Sequence, residues 1–432
     1  MPVPIGGGDV PSKSQRDTAS PRDAQQAGAF LITAVLIFAG TYLVMAVGKL
    51  PGYRMDRAGA ALLGASLMVG AGVLTPDEAY AAVDMETITL LLGMMIVAAN
   101  LKLSGFFRIV EAFVVVRARH PLVLLAAIVL VAGFFSALLV NDTICLVLTP
   151  IVLDLARRLG RNPVPYLLAV AMASNAGSVA TITGNPQNMI VGSFAGIPYA
   201  DFALALTPVA IVSLLITVVL VAVLHPKEFF TREPLVVPKL RPSRPNGPLV
   251  AKTLLILAGM VGFFLAGFPV AEVAILGGAL LLFTRRVKAE KVYFDIDWPL
   301  LVMFAGLFIV VAGFDKAVIG AEVHDFVARL NLADVPMLAG VTVVLSNLVS
   351  NVPAVLVLQP FVETLADPQK AWLVVAMAAT LAGNLTLVAS VANLIVAQKA
   401  RSGGVTISFW AHFRVGAPMT LLSLLFGMWW LS

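Results

Sequence analysis

Asp142 is the residue whose presence most needs a chemical reason. It lies inside the apolar run LVNDTICLVLTP, and an ionised carboxylate near the centre of a bilayer costs about 2.5–3.5 kcal/mol on insertion scales. Two roles could justify it. A carboxyl there could take up and release a proton, coupling transport to a proton gradient, or it could cap the start of a helix. Around it stand amides and hydroxyls that could exchange hydrogen bonds with a small polar solute in place of water. The first group holds Asn141 and Thr143, then Asn175, Ser178, Thr183, Asn185 and Asn188; the second holds Ser350 and Asn351, then Asn384, Thr386 and Asn393. No Lys or Arg falls within these clusters, which points to a neutral or weakly charged polyhydroxy solute, since strong anions usually meet a guanidinium or ammonium. The chain holds no HExxH, no paired catalytic carboxylates and no Ser/His constellation, so an enzyme is not expected. The single cysteine, Cys145, excludes an internal disulfide and a thiolate metal cluster. It reads as a small buried helix residue, with metalloid chemistry as the alternative. No metal and no cofactor are expected.

These groups need elements that hold them away from water. Of 432 residues, 59% are hydrophobic and 12% charged, a balance that belongs in lipid. Apolar stretches of spanning length run at about 28–48, 57–74, 87–104, 204–225, 249–268, 270–283, 299–314 and 415–431. Two further apolar stretches, 122–159 and 335–365, are interrupted at mid-length by Asn141-Asp142-Thr143 and by Ser350-Asn351-Val352-Pro353. Each is either two spanning helices or one re-entrant hairpin with arms of about 12–15 residues, and the hairpin is preferred. Residues 166–193 and 372–400 read as helices broken by polar clusters. Gly177, Gly184 and Gly383 lie there, serving either close packing or a backbone that leaves helical geometry.

An internal repeat relates the clusters. Asp84 precedes Gly93 by nine residues and Asp297 precedes Gly306 by nine; Asn141 precedes Pro150 by nine and Asn351 precedes Pro360 by nine. Asn175 and Asn384 open the two broken segments. The three correspondences fall at offsets of 213, 210 and 209. The reading is therefore an all-α polytopic membrane protein with two inverted-topology repeats, each of about five transmembrane segments and one re-entrant hairpin. Residues 28–225 form the first repeat and 249–432 the second. Residues 226–248 are a cytoplasmic linker, and 1–27 are a disordered periplasmic tail. With both termini periplasmic, all but six of the 29 Lys and Arg fall on the cytoplasmic side. The same asymmetry accounts for the formal charge of +5 without invoking nucleic acid.

The stretches LVNDTICLVLTPIVLDLARRLG, SNAGSVATITGNPQNMIVG, SNLVSNVPAVLVLQP and AGNLTLVASVANLIV resemble the ion transporter superfamily, in the branch of arsenite permeases and silicon efflux transporters. The resemblance covers about 84–192 and 297–400. It implies two re-entrant hairpins, a substrate site at their tips and at the broken helices, a transport domain moving against a scaffold, and a homodimer. Sodium-coupled dicarboxylate relatives carry Ser-Asn-Thr at both tips, whereas this chain has Val-Asn-Asp-Thr and Ser-Asn-Val. The expected function is proton-coupled efflux of a small metalloid hydroxide, arsenite or antimonite first and silicic acid next, with Asp142 coupling the proton. The expected partners are this solute, protons and membrane lipid, in a bacterial-type inner membrane. Sodium- or proton-coupled anion or dicarboxylate transport, and sodium/proton antiport, are the alternatives.

Overall fold

A computed structural model describes residues 21–47, 55–231, 235, 245–318 and 331–432, and among these every regular element is helical. In chain order they are α1 (Pro21–Val47), α2 (Arg57–Gly70), α3 (Pro76–Ala82), α4 (Met85–Leu103), α5 (Phe106–Arg117), α6 (Pro121–Leu138), α7 (Asn141–Arg158), α8 (Pro163–Ser178), α9 (Pro186–Ala195), α10 (Tyr199–Leu224), α11 (Pro226–Phe229), α12 (Gly247–Leu265), α13 (Val270–Leu282), α14 (Ala289–Phe294), α15 (Trp298–Val318), α16 (Val335–Val349), α17 (Asn351–Val362), α18 (Pro368–Ala382), α19 (Val391–Ser402) and α20 (Phe409–Leu431). Residues 1–20 of the expected tail lie outside the described residues, as do Lys49, Arg54, Arg232, Lys239, Arg241, Arg244 and Arg329. Helix α1 starts at Pro21, seven residues ahead of the apolar run. Proline suits a first turn, and the Ala and Gln residues that follow are good helix formers.

The helix starts are written locally. Asp56, Asp84, Asn162, Asn185, Asn246, Asp334, Asp367 and Ser408 each accept a backbone N–H from the turn they cap, a contact worth about 1 kcal/mol. Proline occupies the first turn of α6, α8, α9, α12, α16 and α18.

Among the described residues, five helices are long and apolar enough to cross a membrane: α4, α6, α10, α12 and residues 298–317 of α15. Shorter apolar stretches lie in α1, α2, α13, α16 and α17. The arms α6 and α7 have 18 residues each, longer than the expected hairpin arms, whereas α16 and α17 have 15 and 12.

Two helix crossings form a matched pair. Helix α4 meets α13 where Gly93 presses on the Ala274 backbone, and α15 meets α2 where Gly306 presses on the Ala61 backbone. A methyl carbon on Gly93 would sit 2.5 Å from the Ala274 carbonyl carbon, and one on Gly306 would sit 2.7 Å from that of Ala61. Only glycine allows this approach. Both contact residues of the second half lie 213 positions after their counterparts. Ion pairs repeat the pattern. Lys102, at the end of α4, meets Asp295, just before α15, at 2.6 Å; Lys316, near the end of α15, meets Glu78, just before α4, at 2.7 Å. Each helix thus ends where the other begins, so α4 and α15 run antiparallel.

Candidate substrate-binding site

Each broken segment leaves carbonyls at the end of its first half-helix with no helical partner, and in a low-dielectric interior each such group costs several kcal/mol. An asparagine from the far side of the break satisfies them. In the first break a short 3₁₀ turn, Ile182–Gly184, separates α8 from α9. Asn188 Nδ2 reaches back to donate to the carbonyls of Ser178 and Thr181, both at 3.0 Å. In the second, Asn393 Nδ2 donates to the carbonyls of Gly383 (2.7 Å) and Thr386 (3.1 Å). Asn185 completes the first break: its Oδ1 accepts the Asn188 N–H (2.9 Å), while its Nδ2 donates to Ser178 Oγ (2.9 Å) and Thr380 Oγ1 (3.1 Å).

The breaks meet at Asn175. Its Nδ2 donates to Asn384 Oδ1 (2.9 Å) and Asn393 Oδ1 (3.2 Å). Its Oδ1 accepts from Asn141 Nδ2 (3.0 Å) and Ser390 Oγ (3.2 Å). All four of its hydrogen-bonding positions are occupied, by partners from both halves of the chain. Asn384 Nδ2 donates in turn to the Met172 carbonyl at 3.2 Å.

Beside this network lies a cavity of about 40 Å³, lined by the starts of four helices: Asn141 and Asp142 of α7, Pro186 and Gln187 of α9, Asn351 to Pro353 of α17, and Ser390 and Val391 at α19. Met45, Arg57, Leu300, Met303, Phe304 and Ser350 complete the wall. Three of the four helix starts, those of α7, α17 and α19, have no side-chain cap, so partial positive charge collects there. Asn141 Oδ1 and Asn351 Oδ1 are buried and have no hydrogen-bond partner, although the residues are only 4% and 8% exposed. A buried acceptor without a donor is costly, and here two such acceptors belong to residues that line one cavity. Ser350 turns the chain between α16 and α17 at φ +81°, a strain of about 1–3 kcal/mol for a residue other than glycine.

Of the residues expected from sequence to bind solute, the structure brings Asn141, Asp142, Ser350 and Asn351 to the cavity wall. Asn175, Ser178, Asn185, Asn188, Asn384 and Asn393 form the polar frame behind it. Ser178 Oγ donates to the Asn175 carbonyl at 2.8 Å. Thr183 faces away, sharing a hydrogen bond with the Tyr199 hydroxyl at 3.0 Å. Thr143 and Thr386 are half-buried and off the cavity lining. The glycines divide: Gly177 presses on the Gly133 backbone, a packing role, while Gly184 sits inside the first break against the Ser178 backbone.

The expectation that no cation stands at the site is corrected by Arg57, which lines the cavity from the first turn of α2. In sequence it reads as a loop charge some 80 positions from the first tip, and no spacing signals the approach. Gln187 was also missed, although it lies inside the Gly-Asn-Pro-Gln-Asn motif. Thr380 bridges three amides, donating to Asn188 Oδ1 (3.2 Å) and accepting from Asn185 and Gln187. His412 lies in the first turn of α20 and is fully buried, with Nε2 3.0 Å from the Asn384 carbonyl oxygen. His324 lies outside the described residues.

The citrate transporter family profile, CitMHS, matches residues 29–382. The chain belongs to the citrate transporter family. A CitMHS member is a multi-pass membrane transporter, as the apolar helices require. Relatives extend along nearly the whole chain. An uncharacterized transporter of Mycobacterium tuberculosis (strain CDC 1551 / Oshkosh) is 32% identical over 419 residues, covering 91% of this chain and 96% of its own. A silicon efflux transporter of Oryza sativa subsp. japonica is 28% identical over 455 residues, covering 89% and 94%, and a transporter designated arsB from Dictyostelium discoideum is 25% identical, covering 87% of each. Among solved structures, the YdaH transporter of Alcanivorax borkumensis has a similar fold, with TM-score 0.58 and 16% identity over 94% of this chain and 97% of its own.

Proposed function

We propose that this CitMHS member is a secondary active transporter that exports a small metalloid hydroxide, arsenite or antimonite first and silicic acid next, in exchange for protons. The observation that carries the reading is the pair of buried, unpartnered amide oxygens, Asn141 Oδ1 and Asn351 Oδ1, on one small cavity. Acceptors without donors call for a solute that brings hydroxyl groups. The volume of about 40 Å³ corresponds to a few water-sized probe spheres, each about 10–15 Å³, which suits a handful of heavy atoms better than a tricarboxylate. The silicon efflux and arsB relatives support the same solute class.

Asp142 is the proton carrier. The residue lines the cavity from the first turn of α7, and a proton bound by its carboxyl from the periplasmic side leaves toward the cytoplasm as solute enters, so inward proton flow drives outward solute flow. The architecture is two inverted repeats with re-entrant hairpins at α6–α7 and α16–α17, in an inner membrane with both termini periplasmic. The antiparallel α4 and α15, with their matched crossings and ion pairs, support the inversion. The protein works as a homodimer, as the superfamily resemblance implies. Arg57 favours a second reading, coupled transport of an inorganic anion or dicarboxylate.

Everted membrane vesicles turn efflux into uptake. Mass-detected arsenite should accumulate when a proton gradient is imposed and stop when a protonophore is added. Accumulation that requires sodium instead, or that occurs for a dicarboxylate and not for arsenite or silicate, would move the assignment to the second reading.

A further inference from the structure

The cavity makes two opposite demands on its occupant. The buried oxygens of Asn141 and Asn351 need hydrogen-bond donors. The uncapped starts of α7, α17 and α19 present backbone N–H groups and partial positive charge, and they need acceptors. Arg57 adds a full positive charge: it is one of the residues lining the same wall, and among the described residues its guanidinium has neither an ion-pair nor a hydrogen-bond partner. A neutral hydroxide answers the first demand and leaves the guanidinium uncompensated. A fully ionised carboxylate answers the second and sets its oxygens against those of the asparagines.

Resting on the export reading above, we infer that the cavity selects a hydrogen oxyanion, an acid with one oxygen ionised and at least one still protonated, and that Arg57 holds the ionised oxygen. Hydroxyls donate to Asn141 and Asn351, while the charged oxygen accepts from Arg57 and the helix starts. Arg57 is therefore a specificity-determining residue. It sits on α2, which packs against α15 at the Gly306 crossing, whereas the asparagines belong to the tips, so the cargo bridges two separately anchored parts of the protein. Among the described residues, Asp142 shares the cavity wall with Arg57, Asp297 acts electrostatically on Asp142 from just before α15, and Asp56, next to Arg57 in sequence, is engaged as the cap of α2 through the Gly59 N–H at 2.9 Å.

Calorimetric titration of the purified full-length protein in detergent with sodium arsenite, at two pH values on either side of the first ionisation of arsenious acid, tests this directly. The wild type should bind about tenfold tighter where the monoanion dominates, the scale of one charge-assisted contact. Arg57→Gln should lose that gain while remaining monodisperse, and Arg57→Lys should keep most of it. Equal or weaker binding of the monoanion by the wild type, or an unchanged gain in Arg57→Gln, overturns the inference. Vesicles that fail to move arsenite while this binding pattern holds would break the export reading and leave the role of Arg57 standing.

Discussion

The two helix junctions at the cavity share a skeleton and differ in chemistry. At the first, Asn141 is bound on both sides: its Nδ2 donates to Asn175, and its carbonyl accepts from Ser174 Oγ at 3.0 Å. The carboxyl of Asp142 comes next. At the second, Asn351 has no side-chain hydrogen bond among the described residues, Val352 stands where the first has Asp142, and the strain is held in Ser350. One junction is anchored and carries a carboxyl; the other is loosely held and has none. On the proposed reading, the first junction carries the proton chemistry and the second adapts to the solute.

The comparison breaks most severely at Asp142. Replacement by Asn keeps size and polarity and removes the exchangeable proton, so gradient-driven accumulation in everted vesicles should fall to background while arsenite binding changes by no more than about threefold. Retention of gradient-driven accumulation would return Asp142 to helix capping. Next in size is Asn175→Ala, which unpairs buried groups on both halves and should destabilise the protein by roughly 3–5 kcal/mol, read as a lower thermal midpoint in detergent. Asn351→Ala should cost about 1 kcal/mol, and equal losses for the two would erase the difference between the junctions. Ser350→Gly should stabilise by about 1 kcal/mol through relief of the positive φ while weakening solute affinity; a lower midpoint would show that the serine hydroxyl matters more than the strain.

The smallest effect lies at the matched ion pairs. Hydrogen bonding by the Lys316 ammonium, with the Thr75 backbone N–H, lowers the Glu78 carboxyl from 4.5 to about 2. Its contribution to stability is therefore complete above the ordinary carboxylate range and is lost as pH falls from about 4.5 toward about 2. Lys316→Ala should leave the midpoint at pH 7 nearly unchanged and flatten its decline across that acid window. An identical acid limb in both proteins would remove the pair from the frame.

The repeat and the junction asparagines were legible because Asn-to-Pro and Asp-to-Gly spacings of nine recur at nearly constant offset, and a spacing is a property of sequence alone. Gly93 and Gly306, which in sequence only mark the repeat, are the points where helix backbones touch. What the sequence left open was direction. Asn188 and Asn393 have the composition of ligands, yet their amides close the breaks, because whether an amide turns inward or back along its own chain depends on the unwound carbonyls behind it. Arg57 was missed for a related reason: helix α2 carries it to the cavity from a stretch that reads as the end of a loop.

The bond between Asn175 and Asn384 has a consequence for descent. Two duplicated segments ordinarily drift apart, each free to accept changes the other does not share. Here each half of the chain supplies the other's partner, so a change at either asparagine unpairs a buried amide in the other half. The pair should therefore be inherited as a single character, and lineages that lose one amide should show the matching change in its twin.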